Sequence, residues 1–169
     1  MVGNRITVLK SGALTKFAVA LYANKHRLRR IWLVSPWIGG NARGFDPISY
    51  LVEALQGSEC NVNVVTRKPA ADWHLEAVRV MWENFHPTLY YCPTLHTKLY
   101  LMECDGFRCA IFGSPNLTGR ADGENRELAV EFRTTVESRE DEVAAIITSL
   151  AEYARDLAAE DDVKLIEKP

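Results

Sequence analysis

The chain has 169 residues, 47% of them hydrophobic and 25% charged, with a formal net charge of −2. That balance excludes wholesale disorder, and the length predicts one domain spanning residues 1–169. No apolar run reaches the ~18 residues needed to cross a bilayer. Met1-Val2-Gly3-Asn4-Arg5 does not lead into an apolar signal segment. A cytoplasmic protein with no membrane partner is therefore expected.

The charge is uneven. Residues 1–100 carry 12 Lys/Arg against 6 Asp/Glu, and residues 101–169 carry 8 against 16. Such asymmetry suits a polyanion-facing side opposite an acidic one, and equally a solvated acidic helix near the C-terminus. Cys60, Cys92, Cys104 and Cys109 form no CxxC pair, so free thiols rather than a zinc site are expected.

Apolar periodicity predicts a helix from Ala13 to about Leu28, with Leu14, Phe17, Ala18, Leu21 and Leu28 on one face and Ser11 as its N-cap. Ile31–Val34 reads as a buried strand, and Gly39-Gly40-Asn41 as a loop. Asp46-Pro47 opens a helix through Ile48, Leu51, Val52 and Leu55, ended by Gly57. Val62–Thr66 is a strand. A helix follows from Asp72 with Leu75, Val78, Met81, Trp82 and Phe85 at helical spacing, and Leu89–Cys92 is the next strand.

Strands then cluster. His96–Glu103 and Phe107–Phe112 form a hairpin about Cys104-Asp105-Gly106, an Asp-Gly turn. Gly113–Asn125 reads as a polar loop and Leu128–Phe132 as a strand. A long helix starts at Ser138, with Asp141 three residues on and Val143, Ile146, Ile147, Leu150 and Leu157 as its apolar stripe. Helices alternating with strands early, followed by clustered strands, predict an α/β fold: a mixed β-sheet flanked by helices on both faces.

The residues that carry chemistry lie late in the chain. On a strand, His96 and Lys98 project to one face. An imidazole beside an ammonium suits attack on phosphate, the first as nucleophile or proton carrier and the second as a charge neutraliser. The hairpin returns Gly113-Ser114-Pro115-Asn116 toward His96. Ser114 and Asn116 offer a hydroxyl and an amide to phosphoryl oxygens. Glu127, opening the next strand, is placed to orient the His96 imidazole. Trp37, beside the glycine loop, is a candidate cleft wall, whereas Trp32 and Trp82 read as core. Arg126, with Arg43, Arg67, Lys68 and Arg120, is a candidate for substrate-backbone contact, each one also readable as solvated surface. His74 and His86 flank a helix and carry no expected chemistry.

His96-Thr97-Lys98 followed by Gly113-Ser114-Pro115-Asn116 and then Glu127 resembles the HKD motif of the phospholipase D superfamily, HxK, an acid and G-[GS]-x-N. The family's Asp, five residues after the Lys, is replaced here by Glu103, with Asp105 two residues on. The resemblance implies a phospholipase D-like fold and a metal-independent phosphodiesterase without cofactor. In it His96 is the nucleophile, Lys98, Ser114 and Asn116 bind phosphoryl oxygens, and Glu127 assists. Family enzymes combine two motifs, and this chain has one. Its resemblance to small single-motif bacterial endonucleases implies a homodimer with nucleic acid as substrate and a possible part in defence against foreign DNA. A larger partner subunit supplying specificity is compatible with this reading. The alternatives are a phospholipid or other small phosphodiester hydrolase and a non-catalytic binding or assembly subunit with the same fold.

Overall fold

The computed structural model describes residues 4–39, 46–123, 125–135 and 140–169. Eight strands form one sheet. They are β1 (Arg5–Leu9), β2 (Leu28–Val34), β4 (Asn61–Thr66), β5 (Thr88–Tyr91), β6 (Leu99–Cys104), β7 (Phe107–Gly113), β9 (Ala129–Thr134) and β10 (Lys164–Ile166). Two short strands, β3 (Ile38–Gly39) and β8 (Leu117–Thr118), pair beside it. The helices are α1 (Ala13–Asn24), α2 (Pro47–Leu55), α3 (Asp72–Phe85), α4 (Gly119–Gly123) and α5 (Glu142–Ala158). Among the described residues no helix is long and apolar enough to cross a membrane.

The sheet order is β1-β9-β7-β6-β2-β4-β5-β10. Strands β2, β4 and β5 run parallel, and the remaining pairings are antiparallel. β2 lies at the centre and is buried on both faces, as its unbroken apolar run requires. Ile31 and Leu33 point into one core with α1, α2 and α3, while Trp32 and Val34 point into a second core with α5. Each fully buried aliphatic side chain contributes about 1.5–3 kcal/mol of transfer free energy. The mixed sheet with helices on both faces matches the architecture expected from sequence.

The strand and helix boundaries differ from expectation at identifiable points. α1 stops at Asn24, and a 3₁₀ turn over Lys25–Arg27 frees Leu28 to enter β2 rather than extend the helical stripe. Ser11 does not cap α1. The N-cap is Gly12, in the left-handed region with no side-chain cap. Gly39 belongs to β3, whereas Gly40, Asn41 and Arg43 lie outside the described residues. The expected loop over 113–125 contains β8 and α4. Ser138 lies outside the described residues, and α5 is capped by Asp141, whose carboxylate accepts from the Ala144 amide at 2.9 Å. β1 and β10 were not foreseen, since both are short edge strands whose partners come from distant sequence.

Strands β2, β4 and β5 end, β6 and β9 begin, and β7 ends, all at one end of the sheet. The Asp105-Gly106 hairpin turn is at the other end, where Arg29 and Arg30 pair with Asp105 at 2.8 Å and Glu103 at 3.5 Å. The Arg29 guanidinium hydrogen bond holds the Asp105 carboxyl below its usual range. Both acids thus tie the start of β2 to the hairpin, far from His96. All four cysteines are free thiols, and burial pushes Cys104 and Cys109 up to about 11 and about 12.

Candidate active site

His96-Thr97-Lys98 is not part of a strand. β6 begins at Leu99, where its register with β2 ends at Val34, and two residues beyond Val34 stands Pro36, which has no N–H to extend that ladder. The segment is nonetheless fixed. Leu95 and Leu99, 2% and 0% exposed, anchor it at both ends in the α5-side core. The Gly113 amide donates to the Lys98 carbonyl at 3.2 Å, and Thr97 Oγ1 meets the Tyr153 hydroxyl of α5 at 2.6 Å. Between the two leucines, His96 is exposed and Lys98 half-buried, so both polar side chains are accessible from solvent.

The second piece is held from below. The Tyr100 hydroxyl, deep in the larger core, donates to the Pro115 carbonyl at 2.7 Å. Ser35 Oγ donates to the Trp37 carbonyl at 2.7 Å and accepts from the Leu117 amide at 3.0 Å. This buried hydroxyl joins the end of β2 to the start of β8. Asn116 Oδ1 is buried with no protein partner among the described residues.

Gly113 has a steric reason. A Cβ there would sit 2.4 Å from the Leu128 carbonyl oxygen and 2.5 Å from Ala129 Cα, both backbone atoms that cannot step aside. The close approach brings the start of β9 against the end of β7. The Ser114 amide donates to the Leu128 carbonyl at 2.9 Å, and the Leu128 amide donates to Ser114 Oγ at 3.0 Å. The Ser114 hydroxyl itself donates to Glu127 Oε2, while the Asn125 amide donates to Oε1 at 3.2 Å. Glu127 therefore binds Ser114 rather than His96. The expected carboxylate–imidazole contact is replaced by a carboxylate that orients the serine.

Trp37 lies partly buried at the same sheet end. Its ring is 6.2 Å from Trp73 and 5.9 Å from His74, and His74 stacks on Trp73 at 5.6 Å. Gly39 permits α3 to pack this closely: its φ is +119°, and a Cβ would lie 2.8 Å from the Trp73 carbonyl oxygen. His74 is fully buried, with Nε2 3.1 Å from Thr66 Oγ1, and burial lowers it to about 4. It is a neutral structural histidine, as expected. Trp32 is core, Trp82 packs against the larger core, and Arg126 is exposed beside Glu127.

One of the candidate backbone-contact cations has a more specific place than the sequence indicated. Arg67, directly after β4, donates through Nε to the Leu95 carbonyl at 2.9 Å. Its Nη2 is 3.0 Å from His96 Nε2, and its guanidinium lies over the Trp37 ring at 5.7 Å. Its only sequence signal is a cation at a strand end.

The set thus unites Trp37, Arg67, His96, Lys98, Ser114, Asn116 and Glu127 at one end of the sheet. It offers an imidazole, two cations and neutral donors in an open setting, a combination suited to binding and attacking a phosphoryl group. Among the described residues no group of three or more His, Cys, Asp or Glu side chains is placed to hold a metal ion.

No family model matches the chain, and no curated protein matches it by sequence. Solved structures do match. Nuc from Salmonella typhimurium, a phospholipase D family member, is 16% identical over 98% of this chain and 99% of that chain, with a TM-score of 0.73. NucT from Helicobacter pylori is 9% identical over 96% of this chain and 98% of its own, with a TM-score of 0.64. TrmBL2, an archaeal chromatin protein with a novel mode of DNA binding, is 12% identical over 96% of this chain and 55% of its own, at a TM-score of 0.57. At these identities the likeness is one of architecture, and the chain has the fold of the phospholipase D family.

Proposed function

We propose that the protein is a metal-independent phosphodiesterase acting on nucleic acid through a phosphohistidine intermediate, with two copies combining to complete one site. The observation that carries this reading is the convergence of His96, Lys98, Ser114 and Asn116 at one end of a sheet of this fold. The DNA-binding relative by fold, TrmBL2, supports nucleic acid as the polyanion. Lys98 and the neutral donors supply the charge stabilisation that a divalent ion would otherwise give.

In the first step a lone pair of one His96 imidazole forms a bond to phosphorus. The bond from phosphorus to the leaving oxygen breaks, and the partner's His96, which enters this step as an imidazolium after taking up a proton from solvent, gives that oxygen its proton. In the second step the partner's His96, now neutral, takes a proton from water. The water oxygen attacks phosphorus, the phosphorus–nitrogen bond breaks, and a phosphomonoester leaves.

The chain has a single HxK, so the second histidine comes from another copy. An apolar sheet face beside the site supports this. Ile6, Val8 and Phe112 lie on the α5 side of the sheet, where α5 does not reach, and Leu128 adjoins them. They are 55%, 60%, 46% and 58% exposed, respectively. Leu128 directly follows Glu127, so a two-fold axis through this patch places two sites side by side. In this reading the enzyme is cytoplasmic and acts against foreign DNA.

Digestion of single-stranded DNA, double-stranded DNA and RNA in EDTA, comparing wild type with His96→Ala, tests the proposal. Cleavage by wild type and none by the variant is expected. Hydrolysis of lipid vesicles with no cleavage of polynucleotides would replace the substrate class. Inactivity of a folded wild-type dimer on all of these would overturn the reading.

A further inference from the structure

The geometry points to Arg67 as the positioning residue of His96: it fixes the imidazole with an unprotonated Nε2 in the resting site and passes the same donor to a phosphoryl oxygen when a phosphodiester enters. This inference rests on the phosphodiesterase reading above for the second half only. The first half concerns the resting protein.

Three contacts define the guanidinium. Nε donates to the Leu95 carbonyl, Nη2 faces His96 Nε2, and the planar group lies over Trp37. A guanidinium has five N–H donors, no acceptor, and stays charged at any working pH. Nε2 must therefore be the acceptor in the contact with Nη2, and the ring proton of the neutral imidazole resides on Nδ1. The hydrogen bond made by one ring nitrogen sets the protonation of the other. Arg67 thus selects the tautomer whose Nε2 lone pair faces the cleft, a role that the sequence suggested for Glu127 and that the Ser114–Glu127 bond does not fill.

The same lone pair cannot accept from Arg67 and attack phosphorus at once, so the contact has to be exchanged during the reaction. The Nε–Leu95 bond is the fixed point. The backbone carbonyl it uses is one residue before His96, and Leu95 is locked in the core. A small rotation about that bond moves Nη2 from the imidazole to an oxygen of an incoming phosphate, which offers a full negative charge in place of a neutral nitrogen. Trp37 supplies the flat face on which the guanidinium slides, which gives the candidate cleft tryptophan a definite task. No proton and no covalent bond moves in the exchange.

The resting half is tested by ¹⁵N NMR of histidine-labelled protein at a pH where the imidazoles are neutral. In wild type, His96 is expected to show an unprotonated Nε2 and a protonated Nδ1. In Arg67→Ala the Nε2–H form appears. A protonated Nε2 in the neutral wild-type ring, or an unchanged tautomer in Arg67→Ala, overturns the assignment. This arm needs no activity, so it stands or falls apart from the nuclease reading. The exchange is tested by titrating inorganic phosphate. Wild type is expected to bind it about tenfold or more tightly than Arg67→Ala, with a shift of the His96 Nε2 resonance on saturation. Arg67→Lys keeps a charge but not the fork, and should recover part of the phosphate affinity without restoring the tautomer. Equal phosphate binding by wild type and Arg67→Ala, with both folded by circular dichroism, overturns the exchange.

Discussion

The buried hydroxyl of Tyr100 donates to the carbonyl of Pro115, so the loop that carries Ser114 and Asn116 is fastened to the core strand that follows Lys98. One side chain thereby sets the distance between the two halves of the site. Tyr100→Phe keeps the ring and its packing against Phe17, 5.8 Å away, but leaves the Pro115 carbonyl without this donor. The expected loss is about 1–2 kcal/mol of stability, read from urea unfolding, together with a fall in kcat on the substrate found in EDTA.

Gly113 bears on the same loop from the other side. Gly113→Ala pushes a methyl group into the Leu128 and Ala129 backbone. Overpacking of this kind costs about 1–3 kcal/mol, and here the relief is to move the start of β9 outward. Stability should drop by that amount, and activity should drop with it because the Ser114–Glu127 pair opens. A fully active Gly113→Ala protein of wild-type stability would show that the close approach is not needed.

Glu127→Gln separates orientation from stability. The carboxylate is bonded to Ser114 and Asn125 on a solvent-accessible segment, so its loss should change stability by less than about 1 kcal/mol. The activity should fall about tenfold or more, since a hydroxyl aligned by a carboxylate is replaced by one facing an amide. Comparable activity in the variant would assign Glu127 to the surface.

His74 predicts a pH dependence of folding. Burial lowers it to about 4 from the ordinary imidazole value of about 6.5, so between those values the unfolded chain binds the proton and the folded one does not. Stability therefore rises with pH through this window. It is fully present above about 6.5 and lost as the pH falls toward 4, by about 3 kcal/mol in total. Urea midpoints at several pH values between 7 and 4 read it directly, and His74→Gln should flatten the slope.

Subunit mixing tests the shared site. Wild-type and His96→Ala chains are unfolded together, refolded and assayed. If each reaction needs both histidines, activity follows the square of the wild-type fraction. A linear dependence would mean that each chain works alone.

Much of this was legible from residue order because the decisive signals were local. The hydrophobic period of α3 and α5 marked helices that are present, and the Asp105-Gly106 turn correctly returned Ser114 toward Lys98. What escaped depended on distant partners. His96-Thr97-Lys98 carries the composition of a strand, yet no neighbour offers it a ladder, so alternation could not show which way its side chains project. Glu127 could be placed near the site by its position before β9, but whether it meets an imidazole or a serine depends on the backbone approach at Gly113. Arg67 had no motif at all. Its meaning comes from the parallel pairing of β2 with β4, which sets the end of one strand beside the end of another, over thirty residues away.

The ion pairs at the hairpin end give the sheet an electrical polarity along its strands. Arg29 and Arg30 are matched there by Asp105 and Glu103, whereas among the described residues neither Arg67 nor Lys98 forms an ion pair with a carboxylate at the opposite end. Two cations of the first hundred residues are thus paired at one pole, while Arg67 and Lys98 keep their charge free of an ion pair at the other. Under the proposed function, a polyanion would meet Arg67 and Lys98 at the ends of the strands rather than along the sheet, although the molecule as a whole carries a formal charge of −2.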